Sequence, residues 1–328
     1  VISYLQAIVI GLLQGVTELF PISSLGHSVL LPALLGWHQV VASESAQESF
    51  YLAFLVGLHV ATALALLWFY REQWVRIIAG LFRSLRKGRI ENADERLAWL
   101  LVVGTIPAGL VGIAFEHALR SLFAKPLAAA VFLTCNGVIL FAGERLRRRA
   151  VRRAAARPGQ AATGPDPVAP TAGGPATIAG GASSVPRDVP PGIPEGPEPP
   201  SRQLGTLGFG EALLIGSAQI LAFFAGISRS GATMVAGLAR GLDHEDAAHL
   251  AFLLATPIIL AAGLYKLPDL LGPNGNGVRG QILVGSLVAA LAAYMSVRFL
   301  TRYFRTRTLT PFAIYCLVVG VACIFRFA

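Results

Sequence analysis

The sequence predicts an all-α polytopic membrane protein: six transmembrane helices plus two re-entrant helical hairpins in an inverted-topology repeat. Three observations lead there. The 328 residues are 54% hydrophobic and 14% charged, against about 25% charged in ordinary soluble domains, and mean hydropathy is +0.62. Apolar runs recur at the length that crosses a hydrocarbon layer, about 20 residues. Two further apolar regions are each interrupted by a Ser/Gly-rich break with ionisable residues beside it. The runs are continuously apolar rather than alternating, which excludes a β-barrel.

The first interrupted region is 1–36, broken at Pro21-Ile22-Ser23-Ser24-Leu25-Gly26-His27. It lacks a basic leader-like start and carries Gln14 and Glu18, so it is expected to belong to the fold rather than to a cleaved signal peptide. Full spans are expected at about 51–70, 98–116 and 126–144. A basic block, 145–157, then leads into a segment with twelve prolines and eight glycines between Pro158 and Pro200. Such a composition cannot offset its ordering entropy by burial, so a disordered linker is expected. The second interrupted region is 207–243, broken at Gly226-Ile227-Ser228-Arg229-Ser230-Gly231, and spans follow at 248–267, 279–299 and 309–327. The expected organisation is a first membrane repeat over 1–145, a linker over 146–206 and a second repeat over 207–328.

Charge sets the orientation. The net charge of +9 comes from 27 Lys+Arg against 18 Asp+Glu. Its location argues for topology and against nucleic acid: 71–96 and 145–157 hold seven basic residues each and flank apolar runs. The loops 71–96, 145–206 and 300–308 are therefore expected on the cytoplasmic side, and 37–50, 117–125 and 268–278 outside. Threading the spans between them makes each interrupted region enter and return on one side. The two halves then carry opposite orientation, and their breaks meet at depth, as substrate sites do in inverted repeats.

Ionisable residues at membrane depth are functional candidates by default. Gln14 and Glu18 lie four apart on one helical face. Pro21 is expected to end that helix, and a second to restart near Leu25–His27, with Ser23, Ser24 and Gly26 supplying cap chemistry and free N–H groups for an anion. In the second break, Arg229 offers a guanidinium that forks onto phosphate oxygens. Ser228, Ser230 and Thr233 add hydroxyls, and Gly231 lets the backbone approach. The anion for Arg229 is either Glu18 or a phosphate. His38, His59, His117, His244 and His249 are placed at span ends or in loops and given no role. Cys135, Cys316 and Cys323 match no metal or disulfide spacing. The nucleophile-elbow, P-loop and dinucleotide patterns are absent.

Gln14-x-x-x-Glu18 with Pro21 to His27, and Gly226 to Thr233 some 200 residues later, resemble the two signatures of the bacterial undecaprenyl-diphosphate phosphatase family, linked to bacitracin resistance. The resemblance covers about 1–145 and 205–328. It implies removal of the terminal phosphate from undecaprenyl diphosphate, which recycles the lipid carrier for peptidoglycan synthesis at the bacterial inner (plasma) membrane. It implies a divalent cation, Mg²⁺ or Ca²⁺, with Glu18 as ligand. It implies Glu18, Ser24, His27 and Arg229 as catalytic positions, and Gln14, Ser23, Gly26, Ser228, Ser230, Gly231 and Thr233 around the substrate. Gln14 stands where the family has either Glu or Gln, and Ala225 where many members have Pro. Ser24, His27 or water is the nucleophile. The expected partners are the polyprenyl diphosphate and the bilayer; the assembly, a homodimer included, is left open. The competing reading is a polyprenyl-phosphate flippase or secondary transporter, which explains the broken helices but needs no nucleophile. An outward-facing site is expected, because a diphosphate headgroup released outside reaches Glu18 and His27 most directly.

Overall fold

The computed structural model describes residues 2–37, 50–114, 125–155, 204–266 and 279–328. Every regular element among them is helical. Two units divide the chain: Val1–Arg147 with Ser201–Ala328, and Arg148–Pro200. Of the second unit only the residues up to Ala155 are described.

Eleven α-helices follow one another among the described residues. Helix α1 is Tyr4–Thr17 and α2 is Ser24–Leu34. Then come α3, Phe50–Phe69, α4, Arg71–Lys87, α5, Ala93–Ala114, and α6, Pro126–Ala155. After a short 3₁₀ turn come α7, Phe209–Ser217, and α8, Arg229–Ala239. Helices α9, His244–Tyr265, α10, Arg279–Tyr303, and α11, Thr310–Phe327, complete the series. Five of these, α5, α6, α9, α10 and α11, are long and apolar enough to cross a membrane. The count reaches six if α3 and α4, which meet at an 89° bend, are taken as one span. The short apolar helices cannot cross alone: the 14 residues of α1 reach only about 21 Å at 1.5 Å per residue.

The outer wall is apolar, as lipid contact requires. On α10, Leu283, Leu287, Leu291 and Met295 repeat every four residues and stand exposed. Residues 71–96, expected as a loop, are helical over most of their length, as α4. Val75, Ile78, Phe82 and Leu85 form one exposed stripe of α4 at helical spacing, beside Arg71, Arg76, Arg83 and Arg86, while Ile77, Gly80 and Ser84 are buried. An apolar stripe flanked by arginines, turned sharply from a preceding span, is the pattern of an interfacial helix. The basic block concealed the period.

Small residues set the close approaches that position the two breaks. Helix α1 lies against α10 so tightly that a Cβ on Gly15 would stand 2.3 Å from the Ala289 carbonyl oxygen. Helix α7 lies against α5 in the same way: a Cβ on Gly216 would stand 2.0 Å from the Gly104 oxygen. Neither backbone could yield without repacking. At the far end of α6, the buried Glu144 accepts from His244 Nε2 at 2.5 Å and from the Leu309 N–H at 2.8 Å, which ties the starts of α9 and α11 to α6.

Candidate active site

Both breaks are built alike. In the first, α1 ends at Thr17 and the chain turns through Glu18–Ile22 before α2 starts at Ser24. Helix α1 thus stops before Pro21, and α2 starts one residue earlier than expected, because Ser23 caps it: its Oγ accepts from the Gly26 N–H at 3.2 Å. In the second, Ser228 caps α8 by accepting from the Gly231 N–H at 3.2 Å. A serine cap with glycine three residues on leaves each helix N-terminus free to approach its neighbour.

The breaks meet backbone to backbone. Ser23 Oγ also accepts from the Gly226 N–H, at 3.2 Å, and a Cβ on Gly26 would lie 2.7 Å from the Gly226 Cα. Gly226 sits at φ +118°, open only to glycine. Ser23 itself sits at φ +73°, which for a serine costs on the order of 1–3 kcal/mol. Its two N–H partners hold it there. Asn136 of α6 joins both breaks from behind: Nδ2 donates to the Pro21 carbonyl at 2.9 Å, and Oδ1 accepts from the Ser228 N–H at 3.0 Å.

Glu18 is the centre of the resulting site. Its carboxylate is buried yet faces four donors from both breaks and from α3. Gln14 Nε2 donates to Oε2 at 3.1 Å, and Ser24 Oγ donates to the same oxygen. Arg229, the first residue of α8, pairs with Oε1. His59 Nε2 lies 3.4 Å from Oε2, and its Nδ1 donates to the Leu55 carbonyl at 2.8 Å. Burying a carboxylate and a guanidinium is tolerated only with such pairing. So the anion that Arg229 takes in this structure is Glu18. Glu18, Ser24, Arg229 and His59 border a cavity of about 160 Å³, walled also by Ser23, Ser228, Gln219 and the apolar Ala108, Phe223 and Ile258. Gln219 Nε2 donates to the Gly104 carbonyl at 3.3 Å, while its buried Oε1 has no partner among the described residues.

Glu18, Ser23, Ser24, Ser228 and Arg229 thus line the cavity, as a shared site requires. Gln14 stands behind Glu18. The others do not reach it. Gly26 and Gly231 serve close packing, Thr233 Oγ1 is turned onto the Arg229 carbonyl at 2.8 Å, and Ser230 Oγ bonds Ser228 Oγ at 3.0 Å. His27 points away: Nδ1 donates to the Ser23 carbonyl at 2.7 Å, and Nε2 meets the Tyr315 hydroxyl at 2.9 Å. Both ring nitrogens are engaged outside the cavity.

His59 departs from its expected place. It lies in the middle of α3, not at a span end, and it forms part of the cavity wall. A histidine inside a 20-residue apolar run was itself the signal. Asn136 is the second residue that sequence reasoning missed, a buried amide in the middle of a span. His244 and His249 do lie in the first turns of α9; His38 and His117 lie outside the described residues.

A hydroxyl on a carboxylate is the arrangement of an activated nucleophile, and a guanidinium at a helix start is suited to phosphate. The family model of the bacitracin resistance protein BacA matches residues 7–164 and 183–322. The chain is 57% identical to undecaprenyl-diphosphatase 2 of Frankia alni, over 100% of this chain and 98% of that protein. It is 56% identical to the undecaprenyl-diphosphatase of Mycolicibacterium paratuberculosis, over 98% and 96%. With undecaprenyl-diphosphatase 2 of Chromobacterium violaceum the identity is 39%, over 97% and 96%. Matched along nearly all of its length, the chain belongs to the bacitracin resistance protein BacA family.

Proposed function

We propose that the chain is an integral-membrane undecaprenyl-diphosphatase, which hydrolyses undecaprenyl diphosphate to undecaprenyl phosphate and phosphate. The observation that carries this reading is Ser24 Oγ on the Glu18 carboxylate, facing Arg229 from the other break across one cavity. Binding or moving a lipid would need the guanidinium but not the hydroxyl–carboxylate pair. The names of the full-length relatives give the lipid.

The terminal phosphate displaces Glu18 from Arg229 and takes the guanidinium itself. Glu18, released from its cation, becomes basic at the moment Ser24 must lose its proton. Ser24 Oγ attacks the terminal phosphorus as its proton passes to Glu18, and the bond to the bridging oxygen breaks, leaving phosphoserine and the lipid monophosphate. Water then attacks the phosphoserine, and Glu18 returns the proton to Ser24 as phosphate leaves. The N–H groups at the starts of α2 and α8, with Ser228, face the phosphate oxygens. His27 holds the first break in place through Ser23 and Tyr315. Nucleophile and base thus come from the first break and the phosphate clamp from the second.

A divalent cation fits these residues in one way. Among the described residues no three His, Cys, Asp or Glu side chains cluster, so no all-protein cage exists. Mg²⁺ commonly takes one or two carboxylates and completes its shell with phosphate oxygens and water. Glu18 would supply one carboxylate oxygen, Oε1, vacated by Arg229, leaving Oε2 to Ser24, and Gln219 Oε1, which has no partner among the described residues, offers a second hard oxygen in the same cavity. Bound there, the cation would draw negative charge from the diphosphate. The test is phosphate release from undecaprenyl diphosphate by the purified protein in detergent. Release that stops with EDTA and returns with Mg²⁺ or Ca²⁺ is expected. No release under any cation would leave a lipid-binding or transport role instead.

The arrangement that accounts for the loop charges is six spans and two re-entrant hairpins in an inverted repeat, in the bacterial inner membrane. Residues 146–206 join the halves on the cytoplasmic side, and the cavity opens outward. Leu25, in the cavity wall, reports the sidedness. A Leu25→Cys variant lacking Cys135, Cys316 and Cys323 should react with a membrane-impermeant thiol reagent on intact cells, and a substrate analogue should protect it. Labelling only after permeabilisation would place the opening inside.

A further inference from the structure

We propose that the C-terminal end of α10 carries a binding site for an anionic glycerophospholipid of the cytoplasmic leaflet. Arg298, Arg302 and Arg307 take its phosphates, and the exposed stripe of α10 lies under its acyl chains. The inference is independent of the chemistry assigned to the cavity around Glu18.

Arg298 and Arg302 lie four apart on one face of α10, where like charges repel. The turn after the helix brings Arg307 back beside them, its N–H donating to the Tyr303 carbonyl at 3.0 Å. Nearby Arg305 is paired with Glu245 at 3.1 Å. Among the described residues no carboxylate pairs with Arg298, Arg302 or Arg307. All three are exposed and border one open hollow of about 550 Å³, together with Tyr294, Phe299 and Tyr303. That volume is within the range of small-ligand sites. The rings are held from behind: Phe299 stacks on Phe20 with centroids 5.9 Å apart, and Tyr303 meets Phe304 and Phe312 at 5.2 and 5.4 Å. The hollow is therefore preformed.

Its depth and its surroundings select a lipid. Tyr294 meets Phe69 edge-on at 5.8 Å, at the 89° bend where the interfacial helix α4 turns away from α3. That bend marks the headgroup level, and Arg298 and Arg302 stand one and two turns beyond Tyr294. In the other direction, the exposed stripe of Leu283, Leu287, Leu291 and Met295 runs on into Phe299 at the same four-residue spacing. A soluble phosphate compound would meet the arginines and leave that stripe uncovered; a lipid covers both. Arginines that only set topology or offset the helix C-terminus would need neither the rings nor the stripe. The basic end of the span belongs to the cytoplasmic side, where basic hollows beside transmembrane helices take anionic headgroups. Three guanidiniums, each able to fork onto phosphate oxygens, favour a headgroup with two phosphates over a headgroup with one.

The test uses the full-length protein in a zwitterionic detergent with tetraoleoyl cardiolipin as the probe, its retention followed by native mass spectrometry. Binding should saturate at one cardiolipin, more tightly than phosphatidylglycerol and far more tightly than phosphatidylcholine. Arg302→Gln should weaken it about fivefold, and the combined Arg298→Gln, Arg302→Gln, Arg307→Gln variant roughly 100-fold, the scale for losing one and three arginines at a membrane surface. Arg305→Gln removes the same charge close by but outside the hollow, and should change binding less than about twofold. Equal losses in Arg302→Gln and Arg305→Gln would overturn the proposal, since they mark general attraction to a basic surface. So would equal retention of phosphatidylcholine, or displacement by inorganic phosphate, which needs no acyl chain. Displacement by undecaprenyl phosphate in preference to phosphatidylglycerol would overturn it too, by making the hollow a place for that lipid. Wild-type protein supplies a readout that no folding defect can imitate. Cardiolipin with a photoreactive group in its acyl chains should label α10 between Leu287 and Phe299, and label spread evenly over all the exposed helices would refute the site.

Discussion

Replacing Arg229 by Lys should lower kcat/KM by roughly 10²–10³-fold, the scale on which loss of one aimed donor is felt in a dry site. The substitution keeps a positive charge within reach of Glu18, so the carboxylate is not left buried without a counter-charge, a defect that costs about 3–5 kcal/mol. The protein should therefore stay folded in detergent, with thermal unfolding close to the wild type. What is lost is geometry. A guanidinium can hold two phosphate oxygens in one plane, whereas an ammonium offers a point charge. Steady-state kinetics alongside a thermal melt separate the two effects. A Lys variant with near-normal turnover would take Arg229 out of the phosphate clamp.

Glu18→Gln should be still more damaging, on the order of 10³-fold in kcat, because the amide cannot take the serine proton. It has an opposite effect on binding. In the wild type the phosphate must displace Glu18 from Arg229; in the variant no carboxylate competes. A non-hydrolysable prenyl diphosphate analogue, measured by calorimetry, should bind the variant several-fold tighter while turnover collapses. Equal turnover would exclude Glu18 as the base, and weaker analogue binding would mean that Glu18 contributes to holding the diphosphate, for instance through the cation.

The parts of the site that are local in sequence were legible there. Gln14 and Glu18 four apart, the Ser-rich turn after Pro21 and the Ser-Arg-Ser-Gly start of α8 all express short-range rules of helix spacing and capping. The parts that depend on distant packing were not. His27 has a residue type and position that suggest a catalytic role, but Tyr315, 288 residues away, takes its Nε2. His59 lies 41 residues beyond Glu18 in the chain, and only the packing of α3 against the first break brings it to the carboxylate. Asn136 joins two breaks that are 115 and 92 residues from it. The amphipathic helix α4 was hidden for a different reason: its arginines, read as a topology signal, interrupt the stripe formed by Val75, Ile78, Phe82 and Leu85.

Ser24, with Glu18 as its base and Arg229 of the other break as its clamp, should form a covalent phosphoenzyme. Mapping the phosphate on wild-type protein quenched during turnover of labelled undecaprenyl diphosphate tests it most directly. One sample is quenched in acid and one in base, since phosphoserine survives acid and phosphohistidine survives base. Acid-stable label on the peptide containing Ser24 is the predicted result. Base-stable, acid-labile label on His27 would contradict the account.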